Sequence, residues 1–338
     1  MILIRADANE QIGTGHIMRC LSIACALIDQ GEEVLFATAD HCGAKLIKNK
    51  GFKAVCLNSQ WTEMEKEVST LLAIIKANKI KLLLVDSYYV TEYYFSTLAL
   101  YTKLAYIDDL NRSFYVIDYL INYNVYAAIY DYSWFEKTKT KLLLGPMYAP
   151  LRGEFKRISP HIIKSNVQEV LVSAGGADPG CVIEKIMSNI CPEMKNIVFH
   201  FVIGALNPRI DDIKKLADEK GNVVLHINEQ HMSNLMKSCD VAISAAGTTL
   251  YELCSIGIPT ITYTLADNQV VAMEQFKNQN IMLSAGDCRI DDKFIDNIKN
   301  RLKELDDIEL RKQLSETMQT LVDGNGAERI AKELLSQQ

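Results

Sequence analysis

The chain has 338 residues, 49% of them hydrophobic, and a formal net charge of −6. That length exceeds one ordinary core and predicts two domains of about 150 residues each. The acidic balance, with a sequence pI near 5.6, excludes a general electrostatic attraction to nucleic acid or anionic lipid.

No apolar run approaches the roughly 18 residues that a membrane helix needs, so no membrane insertion is expected. Arg5 and Asp7 interrupt the first apolar stretch, which leaves no secretory h-region. The nine cysteines are an odd number without a Cys-x-x-Cys pair, and the six histidines are isolated. Small buried thiols in a reducing compartment fit this better than disulfides or a metal site, and a cytoplasmic protein is expected.

Residues 2–7, Ile-Leu-Ile-Arg-Ala-Asp, predict a short apolar strand. It runs into a turn broken by Gly13 and Gly15, and the turn opens a helix over 15–30. Both glycines permit positive φ and a close approach of backbone to a ligand. The helix start offers unpaired N–H groups to an anion. His16 falls at this start, at the carboxyl end of the first strand, where open α/β sheets place their ligands. Two readings stand open: a catalytic acid or base at the mouth of a ligand cleft, or a partly buried histidine at an ordinary turn. Arg19, three residues later on the same helix face, either meets the substrate or pairs with an acid. Asp7 is near enough in sequence to orient the imidazole.

The first half then alternates. Strands are predicted at 33–37, 53–57, 82–86, 104–108 and 119–122, with helices at 42–50, 63–78 and 92–101. Near-continuous apolar strands separated by helices indicate a parallel sheet covered on both faces. The strand ends Asp7, Asp86-Ser87-Tyr88 and Asp108-Asp109 project to the edge that carries His16. Over 142–165, Gly145, Pro146, Pro150 and Pro160 break the rhythm and read as a linker.

A second series follows. Strands are predicted at 169–173, 197–203, 223–227, 241–244 and 260–263. Helices are predicted at 178–189, 208–221, 233–238, 248–256 and 268–278, with three more over 291–338. The expected architecture is α/β, with two Rossmann-like domains, 1–155 and 165–338, facing a cleft.

Gly175 and Gly176 follow the first strand of this half, with Asp178 expected as a helix cap and Pro179 at the first helical position. The stretch from Cys239 to Leu253 is more informative. A buried strand ends in small residues, and Gly247-Thr248-Thr249 then opens a helix whose N–H groups and hydroxyls suit a diphosphate. Glu252, three residues after Thr249, either accepts bonds from a vicinal diol such as ribose or merely favours the helix dipole. Asn268 and Gln269 either read sugar hydroxyls or cap a helix. The chain has neither Gly-x-Gly-x-x-Gly nor a Walker motif, which disfavours dinucleotide cofactors and P-loop ATP. No cofactor and no metal are expected.

Four motifs occur together and in order: Ile12-Gly13-Thr14-Gly15-His16-Ile17-Met18-Arg19, residues 145–152, Ser173-Ala174-Gly175-Gly176-Ala177-Asp178, and residues 245–253. With them the chain resembles the UDP-2,4-diacetamido-2,4,6-trideoxy-altropyranose hydrolases of pseudaminic acid biosynthesis, which share the glycosyltransferase-B fold. The resemblance implies UDP held by the carboxy-terminal half and the reacting carbon facing His16. It implies Glu252 at the ribose, Gly247, Thr248 and Thr249 around the diphosphate, Asn268 and Gln269 at the diphosphate or sugar, and uracil near Ile227, while Gly175 and Gly176, also expected to bind UDP, permit close approach to a phosphate or the ribose. Asp7, Gly13, Gly15, Arg19, Tyr88 and Asp109 would line the sugar side. One position departs from the family's usual Asp-His-Tyr: here it reads Asp86-Ser87-Tyr88.

The implied reaction is metal-independent hydrolysis, with water activated by His16 and inversion at the anomeric carbon. The alternatives are a UDP-sugar-dependent glycosyltransferase of the same fold and a non-catalytic sugar-nucleotide sensor. A lipid acceptor would call for exposed apolar and basic residues on the first domain, and the sequence shows no such cluster there.

Overall fold

The computed structural model describes residues 1–9, 11–112, 114–204 and 207–336. The chain forms two compact units, 1–153 with 325–338, and 154–324.

The first unit is built on a seven-stranded parallel sheet of β1 (Ile2–Ala6), β2 (Val34–Thr38), β3 (Ala54–Cys56), β4 (Leu82–Asp86), β5 (Lys103–Ile107), β6 (Tyr119–Asn122) and β7 (Lys141–Leu144), in the order β3-β2-β1-β4-β5-β6-β7. β1, β2 and β4 are buried along their whole length. That is why they read as unbroken apolar runs, since helices cover both faces of such a sheet. The strand order reverses between β1 and β4, which pair from Ile2 with Leu82 to Ala6 with Asp86. The loops after these two strands therefore part to opposite sides and leave a crevice at their carboxyl ends.

The second unit repeats the plan with β8 (Glu169–Ser173), β9 (Val198–Ile203), β10 (Val223–Ile227), β11 (Val241–Ala245), β12 (Thr260–Thr264) and β13 (Leu283–Asp287), in the order β10-β9-β8-β11-β12-β13. Its reversal lies between β8 and β11, whose pairs run from Val241 with Val170 to Ser244 with Ser173. Each unit has its own apolar core.

The central strands fall within a residue or so of their expected bounds, and the edges depart from expectation. β7 runs into the stretch read as linker; it is four residues long and meets Gly145-Pro146 at once. β13, with the sequence Leu-Ser-Ala-Gly-Asp, carries too little apolar character to register, and its pairing with β12 is irregular. The helix expected from Asp178 begins at Val182. Asp178 still caps it from upstream, accepting the Val182 and Ile183 amides at 2.9 and 3.1 Å, but Pro179 is not in the helix.

The last helix, Gly326–Leu335, belongs to the first unit, whereas the sequence reading placed all terminal helices in the second. Residues 337 and 338 of that expected stretch lie outside the described residues. Arg329 donates to the Met147 carbonyl at 2.8 Å, and Lys141 pairs with Glu333. The helix can start there because Gly326 has no side chain: a Cβ would stand 2.2 Å from the Ala149 carbonyl oxygen. Gly326→Ala is expected to cost about 1–3 kcal/mol through this overpacking, read as a lower urea midpoint at unchanged slope.

Candidate active site

In the first unit the glycine turn is fastened before the helix begins. The Asn9 side-chain oxygen accepts the Gln11 and Ile12 amides at 2.9 and 3.0 Å, and its carbonyl accepts Gly13 N–H at 2.8 Å. Gly13 has φ +70°, a conformation that other residues adopt only with strain. The helix Gly15–Asp29 then carries His16 and Arg19 over the β1–β4 junction.

There His16 Nδ1 lies 2.7 Å from Asp86 Oδ1, at the end of β4. Arg19 embraces the same carboxylate, Nε to Oδ2 at 2.6 Å and Nη2 to Oδ1 at 2.5 Å. Its Nη1 reaches Asp109 at 2.9 Å and the Tyr123 hydroxyl at 2.7 Å, with the guanidinium 5.4 Å from the Tyr123 ring. Asp109 also accepts from the Tyr88 hydroxyl at 3.0 Å and from Asn124 at 2.8 Å. The Tyr88 ring meets the imidazole edge to face, 4.8 Å between centroids. All these acids are buried.

The arrangement fixes the tautomer. A carboxylate at 2.7 Å from Nδ1 demands a proton between them, so neutral His16 carries its hydrogen on Nδ1 and keeps the lone pair on Nε2. Arg19 Nη2, 3.1 Å from Nδ1, is held by Asp86 and cannot be donating to a nitrogen that is itself a donor. Burial alone would push the Asp86 carboxyl up. The charges and hydrogen bonds of Arg19 and His16 outweigh it and hold the group well below the ordinary range. Burial, with Asp109 beside it, pushes the Tyr88 hydroxyl well up, so it stays protonated and donates.

The ring's partner is therefore Asp86 and not Asp7. Asp7 borders the same small hollow, but Arg5 Nη1 holds its Oδ2 at 2.6 Å and the Ala39 amide its Oδ1 at 2.7 Å. Arg19 is likewise not turned to a ligand: its donors go to buried acids and to Tyr123. Asp86, Tyr123 and Asn124 were absent from the expected site. Asp86 alone had a signal, as the last residue of an apolar strand on the edge of His16. This half does expose single large apolar side chains. Tyr89, Tyr93, Phe114, Val116 and Ile129 are 41–68% exposed in the connections after β4, β5 and β6, with exposed Arg112 among them.

In the second unit, the turn after β8 holds Gly175, at φ +73°, and Gly176, both exposed; the turn after β11 holds Gly247, Thr248 and Thr249. Both turns stand at the β8–β11 reversal. The helix Thr249–Ile256 starts at Thr248, whose exposed side chain makes no capping bond. Glu252 is half-buried in its first turn. Gln269 accepts the Leu265 amide at 2.9 Å, while Asn268 stands exposed in the adjoining turn Asp267–Gln269. Ile227, 38% exposed, ends the edge strand β10, two strands from the reversal.

No family model matches the chain. It is 27% identical over 254 residues to the Campylobacter jejuni UDP-2,4-diacetamido-2,4,6-trideoxy-beta-L-altropyranose hydrolase, spanning 74% of this chain and 86% of that one. It is 26% identical over 289 residues to the Helicobacter pylori pseudaminic acid cytidylyltransferase and hydrolase, spanning 83% of this chain and 47% of that one. The chain is a relative of these hydrolases. It is also 25% identical over 293 residues to the Bacillus subtilis spore coat polysaccharide biosynthesis protein SpsG, spanning 84% and 83%. It spans about half the length of the Helicobacter protein and of an uncharacterized Methanocaldococcus jannaschii relative. Among solved structures, Acinetobacter baumannii MurG superposes with a TM-score of 0.71 over the whole of both chains at 12% identity, so the fold is that of the glycosyltransferase-B proteins. Among the described residues no helix is long and apolar enough to cross a membrane.

The depressed Asp86 carboxyl sets a sign. Its stabilising effect is complete above the unfolded value of about 3.9 and is lost as pH falls through that range toward the lower folded value. Asp86→Asn is expected to cost about 3–5 kcal/mol at neutral pH, since it leaves a buried guanidinium short of charge. It should also flatten the loss of stability that wild type shows below about pH 5, as read by urea unfolding across a pH series.

Proposed function

We propose that the protein is a hydrolase that releases UDP from a UDP-linked 2,4-diacetamido-2,4,6-trideoxy hexose, in the making of a pseudaminic-type nonulosonic acid. The observation that carries this reading is the His16–Asp86 bond, which leaves Nε2 as the basic nitrogen of a ring that borders a hollow. The named activities of the relatives supply the substrate class.

His16 Nε2 takes a proton from water as the water oxygen bonds to the anomeric carbon. The bond from that carbon to the diphosphate breaks, and UDP leaves with its electron pair. A single displacement inverts the anomeric carbon. Asp86 holds the ring in the productive tautomer and favours the imidazolium that forms. A placed base contributes about 10²–10⁴-fold, and the rest comes from orientation and from stabilising the departing charge. That second task falls to the second unit, through the Thr248 and Thr249 hydroxyls, the helix N–H groups and the Gly175-Gly176 turn, with Glu252 on the ribose. Asn268 and Gln269 would serve the diphosphate or sugar, and Ile227 the base. The proposed reaction needs no metal and no cofactor.

The exposed aromatic and aliphatic side chains on the first unit favour a second reading, a glycosyltransferase with an apolar acceptor. One assay separates the two. Hydrolysis predicts UDP release from the sugar nucleotide without acceptor, undiminished by EDTA; the transferase predicts release only once an acceptor is added. His16→Asn is expected to lower turnover by at least about 10²-fold while UDP affinity, measured by calorimetry, is kept. A parallel loss of UDP affinity would make His16 a ligand contact instead. Glu252→Gln should weaken UDP binding by about 10-fold or more, because a charged hydrogen-bond acceptor is lost.

A further inference from the structure

The hollow beside His16 has a lining of two kinds. Asp7, His16, Asp86 and Ser87 are polar, whereas Trp61 and Tyr89 present aromatic carbon. Both carboxylates are already occupied, Asp7 by Arg5 and the Ala39 amide, Asp86 by Arg19 and the imidazole. The polar groups left for a ligand are the imidazole and the hydroxyl hydrogen of Ser87, whose oxygen accepts Tyr89 N–H at 3.2 Å. Trp61 and Tyr89 meet edge to face with centroids 5.0 Å apart. Tyr89 is 41% exposed and Trp61 half-buried, so two aromatic rings stand open to solvent next to the base.

The loop that carries Trp61 is pinned. Ser59 N–H donates to the Ala39 carbonyl at 3.0 Å, and the Ser59 hydroxyl donates to Glu67 at 2.9 Å. Glu67 is gripped by Arg5 at 2.7 and 2.9 Å and by the Tyr94 hydroxyl at 3.2 Å. One buried guanidinium thus fixes both the acid in the hollow and the root of the Trp61 loop. Trp61 stands two residues beyond this anchored Ser59.

We propose that Trp61, backed by Tyr89, is the specificity-determining surface for the sugar, taking the apolar edge of a deoxygenated hexose and favouring a ring that ends in a methyl group over its 6-hydroxymethyl counterpart. This rests on the hydrolase reading of His16. A methyl group loses nothing against aromatic carbon, whereas a hydroxyl pressed there gives up its water partners without replacement. An apolar site rejects a hydroxylated analogue only modestly, so the expected preference in kcat/KM is about 10–100-fold.

The chain has two tryptophans, and Trp134 stacks on Phe114 at 5.3 Å. In Trp134→Phe, Trp61 is the single tryptophan, and excitation at the red edge of the absorption band, beyond tyrosine, reads it alone. With His16→Asn added to stop turnover, the 6-deoxy UDP-sugar should change the emission and UDP alone should not. In steady state, Trp61→Ala should bring the 6-deoxy to 6-hydroxy preference toward unity, and Trp61→Phe should keep most of it. Equal emission changes with UDP and UDP-sugar, or no change with either, overturn the proposal, as does an undiminished preference in Trp61→Ala. If wild type releases UDP from neither substrate, the hydrolase reading falls, and the fluorescence titration still decides whether the sugar meets Trp61.

Discussion

One carboxylate holds the first unit's chemistry together. Asp86 ends β4, His16 opens the helix after β1, and the two strands are neighbours in register up to Ala6 and Asp86. The contact exists because the strand order reverses there, which parts the flanking loops and leaves the ends of β1 and β4 facing one crevice. Asp86 serves the Arg19 guanidinium and the His16 imidazole at once, and their pull exceeds the cost of its burial. A buried ionic cluster of this kind adds little net stability over apolar side chains of equal volume. Fold maintenance therefore gives no reason for it, whereas holding an imidazole in one tautomer does.

Arg5 and Arg19 make the same point from opposite sides. Each is buried and each spans two acids, Asp7 with Glu67 and Asp86 with Asp109. A charged side chain in the middle of a strand whose other residues are apolar would wreck the sheet unless every donor were met, and the Glu67 carboxylate meets Arg5 in the bidentate manner suited to a guanidinium. Each guanidinium thus offsets part of the charge of two carboxylates and holds both in place. Asp7 and Asp86 reach the hollow beside His16 already bonded to protein donors, Asp7 to Arg5 and the Ala39 amide and Asp86 to Arg19 and the imidazole.

The sequence disclosed what is periodic and local, and hid what depends on pairing across the sheet. Central strands announced themselves because both of their faces are buried, as in β1 and β11. Edge strands did not: β7 is short and abuts Gly145-Pro146, and β13 mixes Ser, Gly and Asp. The glycine turn and His16 were legible for the same local reason. The imidazole's partner was not, because Asp7 is near in sequence while Asp86 is near in space, 70 residues on. Arg19 shared a helix face with His16 as spacing required, yet spacing carries no information about whether Asp86 and Asp109 would claim it. The cap at Asp178 was right in chemistry and wrong in register, since its carboxylate reaches amides four and five residues ahead.

The second unit has the same sheet order around its reversal but fills it differently. At the first reversal the helix start is occupied by protein charge: an imidazole, a guanidinium and carboxylates bonded to one another. At the second, the corresponding turns offer Gly175, Gly176, Gly247, Thr248 and Thr249, which are small, uncharged and at least partly exposed. A helix N-terminus favours negative charge wherever it stands. Where the protein supplies none, the favourable position is left for a ligand that brings its own, and a diphosphate is such a ligand. Two equivalent places in one repeated architecture thus differ by composition alone: one is wired internally by charged side chains, and the other presents small, uncharged residues at its helix start.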